Sequence, residues 1–565
     1  MPPEPSIKTP RWCWFAILLL CLCKLILTSN DEIMAVPDDD YGYCFGASVL
    51  HWGVPYGTWA FARQPVYHFY LAAAELFGLP VRLWIEFTWM GATITMLLAL
   101  RRLGFSPLAA LITFTIALFH PWTLMLFNRT LCDSLFGALM LVYLSSLAVA
   151  ITRTDRAPMS HWGRRAAIFG ALAANTRFEN PPILGVLGIS ALCILGLHRF
   201  AKADRRLTIQ RGLWCVALPL AVIFGLTHAI KLRNYTHIGA YVTTDLELPG
   251  FKKLYKSLLS IRPAAPNLRT AIPRDARDWA YNHSPTFAQL RYNLEVDDGR
   301  IPFQRDTEYA TGIAGEYGTW TVWGIRSAVW KLRQWPSARE LDAFYNQAGE
   351  EIFAALKAEP AKARWSPIPF IPPDWGPLMT NFPSAISKWA NLLLQAAYWR
   401  APDQKLEDYD IARINSVTNR RQTLLDINNR KAFGPSFWHR KESIQRLDRW
   451  KQSISSLNRP LTLAAAILTG LGTLIGLIGI RRRLFPASWC VLSAILWTAI
   501  AARLTIFALL YEITGDPVLQ HRYMFPLVAP IFILGVLNAQ AILRLAISFL
   551  RNRLKRSATD QAALR

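Results

Sequence analysis

Long apolar runs group at the two ends of this chain, and a polar, Trp-rich stretch of more than two hundred residues separates them. Runs at 12–27, 83–100, 105–127, 131–151, 166–176, 182–197 and 213–230 precede the polar stretch, and runs at 461–480, 487–510 and 527–543 follow it. A helix needs roughly 17 to 25 apolar residues to cross a hydrocarbon layer, and inside lipid only helices or closed barrels satisfy every backbone donor and acceptor. The pattern therefore predicts an all-α polytopic membrane protein with about ten transmembrane helices. Residues 1–231 form the first membrane module, with an outer loop at 30–82. Residues 232–458 form an extracytoplasmic insertion, and 459–565 form the last helices and a basic tail.

The insertion is too long for a linker and carries helical periodicity at 325–333, 338–357 and 386–399. Pro360, Pro367, Pro369, Pro372, Pro373 and Pro383 punctuate it, and 365–377 reads as a loop. It is expected to be mainly helical with its own core.

Composition agrees with a membrane class: 52% of residues are hydrophobic and 22 are Trp. The net charge of +24 would ordinarily point to nucleic acid. Here the basic residues cluster between spans, at Arg101-Arg102, 153–165, 199–211, Arg481-Arg482-Arg483 and 551–556, which is the orientation signal of membrane insertion. Nucleic acid is rejected as a partner. All these clusters fall on one side if the first span runs outward and 67–79 lies along the outer interface. Both termini are then cytoplasmic, in a plasma (inner) membrane. Lys24 interrupts the first run and no small-residue cleavage site follows, so that run reads as an uncleaved anchor.

Six of the eight cysteines fall within apolar runs, and no CxxC spacing occurs. Cys44 and Cys132 both fall on the outer side. Phosphate loops of the GxxxxGK type, GxGxxG after a strand, and HExxH are all absent, so nucleotide and zinc hydrolysis have no motif. His51 and His68 read as packing residues. Asn128-Arg-Thr and Asn234-Tyr-Thr fit the glycosylation acceptor pattern.

Carboxylates concentrate where the first anchor emerges, at Asp31, Glu32, Asp38, Asp39 and Asp40. Five segments together resemble polyprenyl-phosphate-sugar-dependent glycosyltransferases of the GT-C class, including mannosyltransferase-like members. The first, Asp38-Asp39-Asp40-Tyr41-Gly42-Tyr43 through Gly53 to Arg63-Gln64-Pro65 and Phe77-Gly78, is similar to that family's first outer loop with its juxtamembrane helices. Asn128 to Phe136, with Asp133, resembles the acidic residue opening a span, although the family more often has Glu-Pro. Asn175-Thr176-Arg177-Phe178-Glu179 resembles a Thr-Arg-Pro-Glu turn, with Phe178 in place of Pro. Arg233-Asn234-Tyr235 with Gly239, and Arg522-Tyr523 with Pro526, complete the set.

The resemblance implies a GT-C-like arrangement and a sugar donor carried on a polyprenyl phosphate. It also implies a glycan, lipid or protein acceptor, contact with membrane lipids, and inversion at the anomeric carbon. Chemistry assigns roles independently. Transfer needs a base near the acceptor hydroxyl and cations near the departing phosphate. Asp39 or Asp40, with Asp38 beside them, are the candidate base, and Asp133 orients it. Arg63, Arg177 and Arg522 suit phosphate, whose geometry matches a guanidinium fork. Glu179 pairs with Arg177, and Tyr523 accompanies Arg522. Arg503, inside an apolar run, either snorkels to the headgroups or serves the site. The Asp cluster is compatible with Mg²⁺ or Mn²⁺, but its spacing does not demand a metal. Bland readings stand beside these: a solvated loop for the Asp run, a helix-dipole charge for Asp133, an ion pair for Arg177. A transporter or flippase of lipid-linked anions is the competing class, disfavoured because the two halves differ in span number. A non-catalytic scaffold is the third.

Overall fold

The computed structural model describes residues 9–29, 31, 33, 39–56, 59–177, 180–200, 204–270, 272–366, 375–394, 436–481, 486–514 and 520–563. Helices account for almost all of its regular structure, and the described residues contain no strand beyond an isolated bridge between Ile261 and Ala363. The first module contains α1 (Arg11–Thr28), α2 (Asp39–Ser48), α3 (Pro65–Leu76), α4 (Val81–Arg102), α5 (Pro107–Phe119), α6 (Pro121–Leu126), α7 (Cys132–Thr152), α8 (Arg156–Ala174), α9 (Asn180–Phe200), α10 (Arg205–Gly212) and α11 (Leu218–Ile238). Of these, α2 and α3 lie in the loop between α1 and α4. After the insertion come α20 (Ser436–Ser456), α21 (Asn458–Arg481), α22 (Ala487–Thr514) and α23 (Gln520–Ala563).

Among the described residues eight segments are long and apolar enough to cross a membrane: Arg11–Thr28, Val81–Arg102, Pro107–Leu126, Cys132–Thr152, Asn180–Phe200, Arg205–Ile238, Ala487–Leu510 and Arg522–Ile547. The chain is an integral, multi-pass membrane protein. The two further runs expected from sequence fall in α8 and α21, which pack alongside these spans. The first half of α8 carries His161, Arg164 and Arg165, and this lowers its apolarity. The run expected at 105–127 is broken at its outer end. Proline at 121 forces the preceding His120 out of the helical region (ψ 134°), and the His120 ring nitrogen Nδ1 accepts from Trp122 N at 3.2 Å, so α6 starts afresh.

Polar contacts identify the two ends of the bundle. At one end Arg153 donates to the Arg102 carbonyl, Arg211 to the Arg153 carbonyl at 3.2 Å, and Trp489 Nε1 to the Leu103 carbonyl at 3.2 Å. Arg544 stacks on Trp489 there. The other end gathers Asp31, α2, α3, Arg82, Asp133, Arg177 and Arg522. Just below it, Lys24 is fully buried, donating to Thr123 at 2.8 Å and lying 3.6 Å from Glu86. Arg82 joins Glu86 (2.6 Å), Asn128 (2.8 Å) and Asp31 (3.4 Å), and Lys451 of α20 also pairs with Asp31. Each buried charge meets an opposite one, as burial in an apolar medium requires.

The expected insertion divides. Helices α12 (Pro249–Leu259), α13 (Arg274–His283), α14 (Pro285–Ala288), α15 (Arg291–Glu295), α16 (Ile301–Thr311), α17 (Thr321–Leu332) and α18 (Ala338–Ala358) enclose a second core from Ile238 to Leu356. Here α12 crosses α18 so closely that a Cβ on Gly250 would lie 2.2 Å from the Asp342 carbonyl oxygen. By contrast α19 (Trp375–Leu394) lays Ala385, Trp389 and Leu393 into the bundle core against α22.

Asn234 ties these parts together. Its Nδ2 donates to the Val242 and Thr243 carbonyls at 2.8 and 3.1 Å, and its Oδ1 accepts from Trp52 Nε1 at 2.7 Å. It is fully buried, so the Asn234-Tyr-Thr pattern marks a structural asparagine with its amide already engaged. Asn234→Ala strands a buried indole donor and two carbonyls, and is expected to cost about 2–4 kcal/mol. The midpoint of thermal unfolding of the purified protein in detergent should fall by several degrees, and an unchanged midpoint would contradict this role.

Candidate functional site

Five segments of the chain converge at the end of the bundle away from the Arg102, Arg153 and Arg211 contacts. Asp39 and Asp40 open α2, where a helix N-terminus favours negative charge. Arg63 lies in the bend ahead of α3: Gln64 is extended (φ −77°, ψ 145°) as the residue before a proline must be, and the helix begins at Pro65. Asp133 sits in the first turn of α7, Arg177 just beyond α8, and Arg522 with Tyr523 in the first turn of α23.

Asp39 is held by two guanidinium groups. Arg63 pairs with its Oδ1 and Arg522 Nη1 donates to its Oδ2 at 2.7 Å. Burial alone would raise this carboxyl, but the positive charges of Arg63 and Arg522 outweigh it and hold Asp39 below the usual carboxylate range. The Asp39 side chain keeps 24% of its exposure, so it borders accessible space. Asp40 differs in every respect. Fully buried, it accepts from Arg129 Nε at 3.1 Å and again from Arg129 Nη2, from the Thr130 amide at 2.8 Å and from Thr130 Oγ1 at 3.2 Å. Burial raises its carboxyl, with Arg129 opposing the rise.

Aromatic rings fix the guanidinium groups. Arg63 lies over Tyr43 (5.6 Å) and over Trp323 of α17 (4.7 Å). Arg522 lies 4.9 Å from the Tyr523 ring and donates to the Tyr523 hydroxyl at 3.0 Å. Arg177 pairs with Asp133 and lies 5.0 Å from the same Tyr523 ring. Arg503 is buried, donates through Nε to the Tyr523 carbonyl at 2.6 Å, and lies over Phe136 (5.2 Å) and Phe507 (4.9 Å). The guanidinium groups of Arg63 and Arg522 flank Asp39, and that of Arg177 pairs with Asp133. The Asp40–Arg129 pair stands beside them. One donor, Arg522 Nε, is buried without a partner among the described residues.

Of the residues expected from sequence, Asp39, Asp40, Asp133, Arg63, Arg177, Arg522 and Tyr523 come together here, whereas Asp38 and Glu179 lie outside the described residues. Arg129, which lies in the Asn128–Phe136 segment without a role assigned from sequence, is the partner of Asp40. Nothing along the chain signals Trp323, because the insertion brings it to Arg63 from 260 positions away. His51 and His68 are buried neighbours, Nδ1 to Nδ1 at 2.9 Å, and burial lowers His51 to about 3 and His68 well below its ordinary value, so both are neutral packing groups. Cys44 and Cys132 are free thiols, bonded to Thr130 Oγ1 at 3.5 Å and to the Tyr43 hydroxyl at 2.9 Å respectively. Among the described residues no group of three or more His, Cys, Asp or Glu side chains converges as a metal site.

No protein-family model matches the chain, and no curated protein matches it either. Two solved structures of ArnT from Cupriavidus metallidurans are similar to it. The structure in the apo state shares 15% identity with a TM-score of 0.32, over 92% of this chain and 85% of that one. The structure bound to undecaprenyl phosphate shares 14% identity with a TM-score of 0.33, over 91% of this chain and 84% of that one.

Proposed function

We propose that this protein is an integral membrane glycosyltransferase of GT-C type that moves a hexosyl or pentosyl group from a polyprenyl-phosphate carrier to a glycan, lipid or protein acceptor. Transfer takes place at the extracytoplasmic face and inverts the anomeric configuration. The observation that carries this reading is the partly exposed Asp39 carboxylate held between the guanidinium groups of Arg63 and Arg522 at the end of the bundle opposite its basic loops. Loops rich in Arg stay cytoplasmic, so the opposite end faces outward and both termini face inward, in an inner membrane.

The roles follow from the geometry. As the acceptor oxygen bonds to the anomeric carbon, its proton passes to Asp39. The bond from that carbon to the phosphate oxygen breaks, and its electron pair stays on the phosphate. Arg63 and Arg522 neutralise the departing phosphate, and Arg177 and Arg503 add to the field from either side of Phe136 and Tyr523. A single displacement by one base inverts the configuration. Asp133 positions Arg177 through their ion pair. Asp40, buried and saturated with donors, positions the start of α2 and is not placed to meet an acceptor. A transporter would use the same cations without bond cleavage, so turnover separates the two readings.

With the purified full-length protein in nanodiscs and radiolabelled polyprenyl-phosphate sugars, Asp39→Asn and Arg522→Ala should each lower turnover by about 100-fold or more, the scale of losing a general base or a charge-stabilising donor. Full transfer by both variants would remove the site assignment, and no turnover with any donor would favour the transport reading. Arg129→Ala should act on stability. It leaves Asp40 buried without its cation and is expected to cost about 2–3 kcal/mol, the low end for an opened buried pair because Arg129 is partly exposed. Thermal unfolding measures this cost. The double variant Arg129→Ala with Asp40→Asn should recover part of it, and a midpoint indifferent to Arg129→Ala would refute the pairing.

A further inference from the structure

The two oxygens of Asp39 are each capped by a different guanidinium, Arg63 on Oδ1 and Arg522 on Oδ2. Both cations have supports that do not depend on Asp39. Arg63 is stacked over Tyr43 and Trp323, and Arg522 is bound to the Tyr523 ring and hydroxyl. The buried, unpartnered Nε of Arg522 leaves one more donor at the same place. An anion spanning two guanidinium groups held by their surroundings is the arrangement that a phosphate with two free oxygens adopts between two arginines.

We propose that the Asp39 carboxylate occupies the place between Arg63 and Arg522 that the donor phosphate takes during turnover. On binding, the phosphate displaces Asp39 from both arginines and releases it as the base. This inference rests on the glycosyltransferase reading above and adds an order to it: the lipid-linked donor binds before the acceptor can be deprotonated. While Asp39 stays paired, its lowered proton affinity makes it a poor base. A phosphate between Arg63 and Arg522 cancels the charge that lowers it. The carboxylate then regains basicity a few ångströms from the anomeric carbon, where the acceptor hydroxyl needs it. Trp323 and Tyr43 serve as positioning residues, because their rings hold the Arg63 guanidinium in place when Asp39 leaves.

The proposal makes an unusual claim about a catalytic carboxylate, namely that it competes with the donor for the same cations. Removing its charge should therefore tighten binding of the lipid phosphate. The test is a titration of undecaprenyl phosphate into the full-length protein in nanodiscs, comparing wild type with Asp39→Asn, Arg63→Ala and Arg522→Ala. Asp39→Asn is expected to bind the probe about tenfold more tightly, equivalent to about 1.4 kcal/mol. The two arginine variants should bind it about tenfold or more weakly. Asp39→Ala, which needs no amide to fit between the arginines, should shift affinity in the same direction as Asp39→Asn and guards against a folding artefact of either variant. Asp297→Asn, at an exposed ion pair of the insertion, should leave affinity unchanged. Unchanged or weaker binding by both Asp39 variants, with wild type binding the probe, overturns the displacement while leaving the glycosyltransferase reading in place. Failure of the wild type itself to bind the probe overturns both.

Discussion

The need to give every buried charge a polar or oppositely charged partner governs the end of the bundle that holds Asp39. Asp39, Asp40 and Asp133 each face an arginine from another segment, and one layer further into the bundle Asp31 faces Arg82 and Glu86 faces Lys24. An unpaired ion at such a depth costs several kcal/mol, so these pairings fix which helices lie side by side and in what register. The inner layer of Lys24, Glu86, Arg82, Asp31 and Lys451 fastens the exit of α1 to α4 and α20. It thereby fixes where the chain enters α2. Through Asn128, which accepts from Arg82, and its neighbour Arg129, which holds Asp40, this layer is joined to the outer one by two consecutive residues.

The two layers differ in how their charges are held. The inner layer is neutral once Asp448, 3.6 Å from Lys451, is counted with Asp31 and Glu86. A purely structural network tends toward neutrality because any residual charge raises its desolvation cost. The aromatic rings behind Arg63 and Arg522 hold both guanidinium groups in place beside the partly exposed Asp39. The same reasoning separates Asp39 from Asp40, adjacent residues whose burial and partners give opposite proton affinities.

Much of this was legible along the chain because periodicity and cost leave few options. Apolar runs announce spans, and Arg-x-Pro announces a helix start with an arginine just before it, as at Arg63 and Pro65. Acidic residues at the first turns of α2 and α7 and basic residues at the ends of α8 and α23 are visible as charges that interrupt or border apolar runs. What stays hidden is pairing. No local rule says that Arg129 closes on Asp40 or that Asp133 takes Arg177, because those partners are chosen by helix packing over separations of 89 and 44 positions. The break at His120-Pro121 was present in the sequence, but an apolar run across it masked the one signal that mattered. For α19 the apolar stripe was legible while its destination was not, since the insertion core and the bundle core offer the same kind of surface.

The loop between α1 and α4 belongs to both cores. Phe61 is buried in the insertion core, whereas Tyr43, Tyr67 and Leu71 are buried in the bundle core, and Arg63 lies between these anchors. Trp52 bonds to Asn234 at the root of the insertion, Tyr56 packs on Trp330, and the buried Arg326–Asp245 pair closes the same seam. Any tilt of the insertion relative to the bundle must therefore either break these contacts or carry Arg63 with it. Trp323, the insertion's own contribution to the site, would move in the same sense. The insertion thus forms one wall beside Asp39, through Trp323 and the contacts that anchor Arg63.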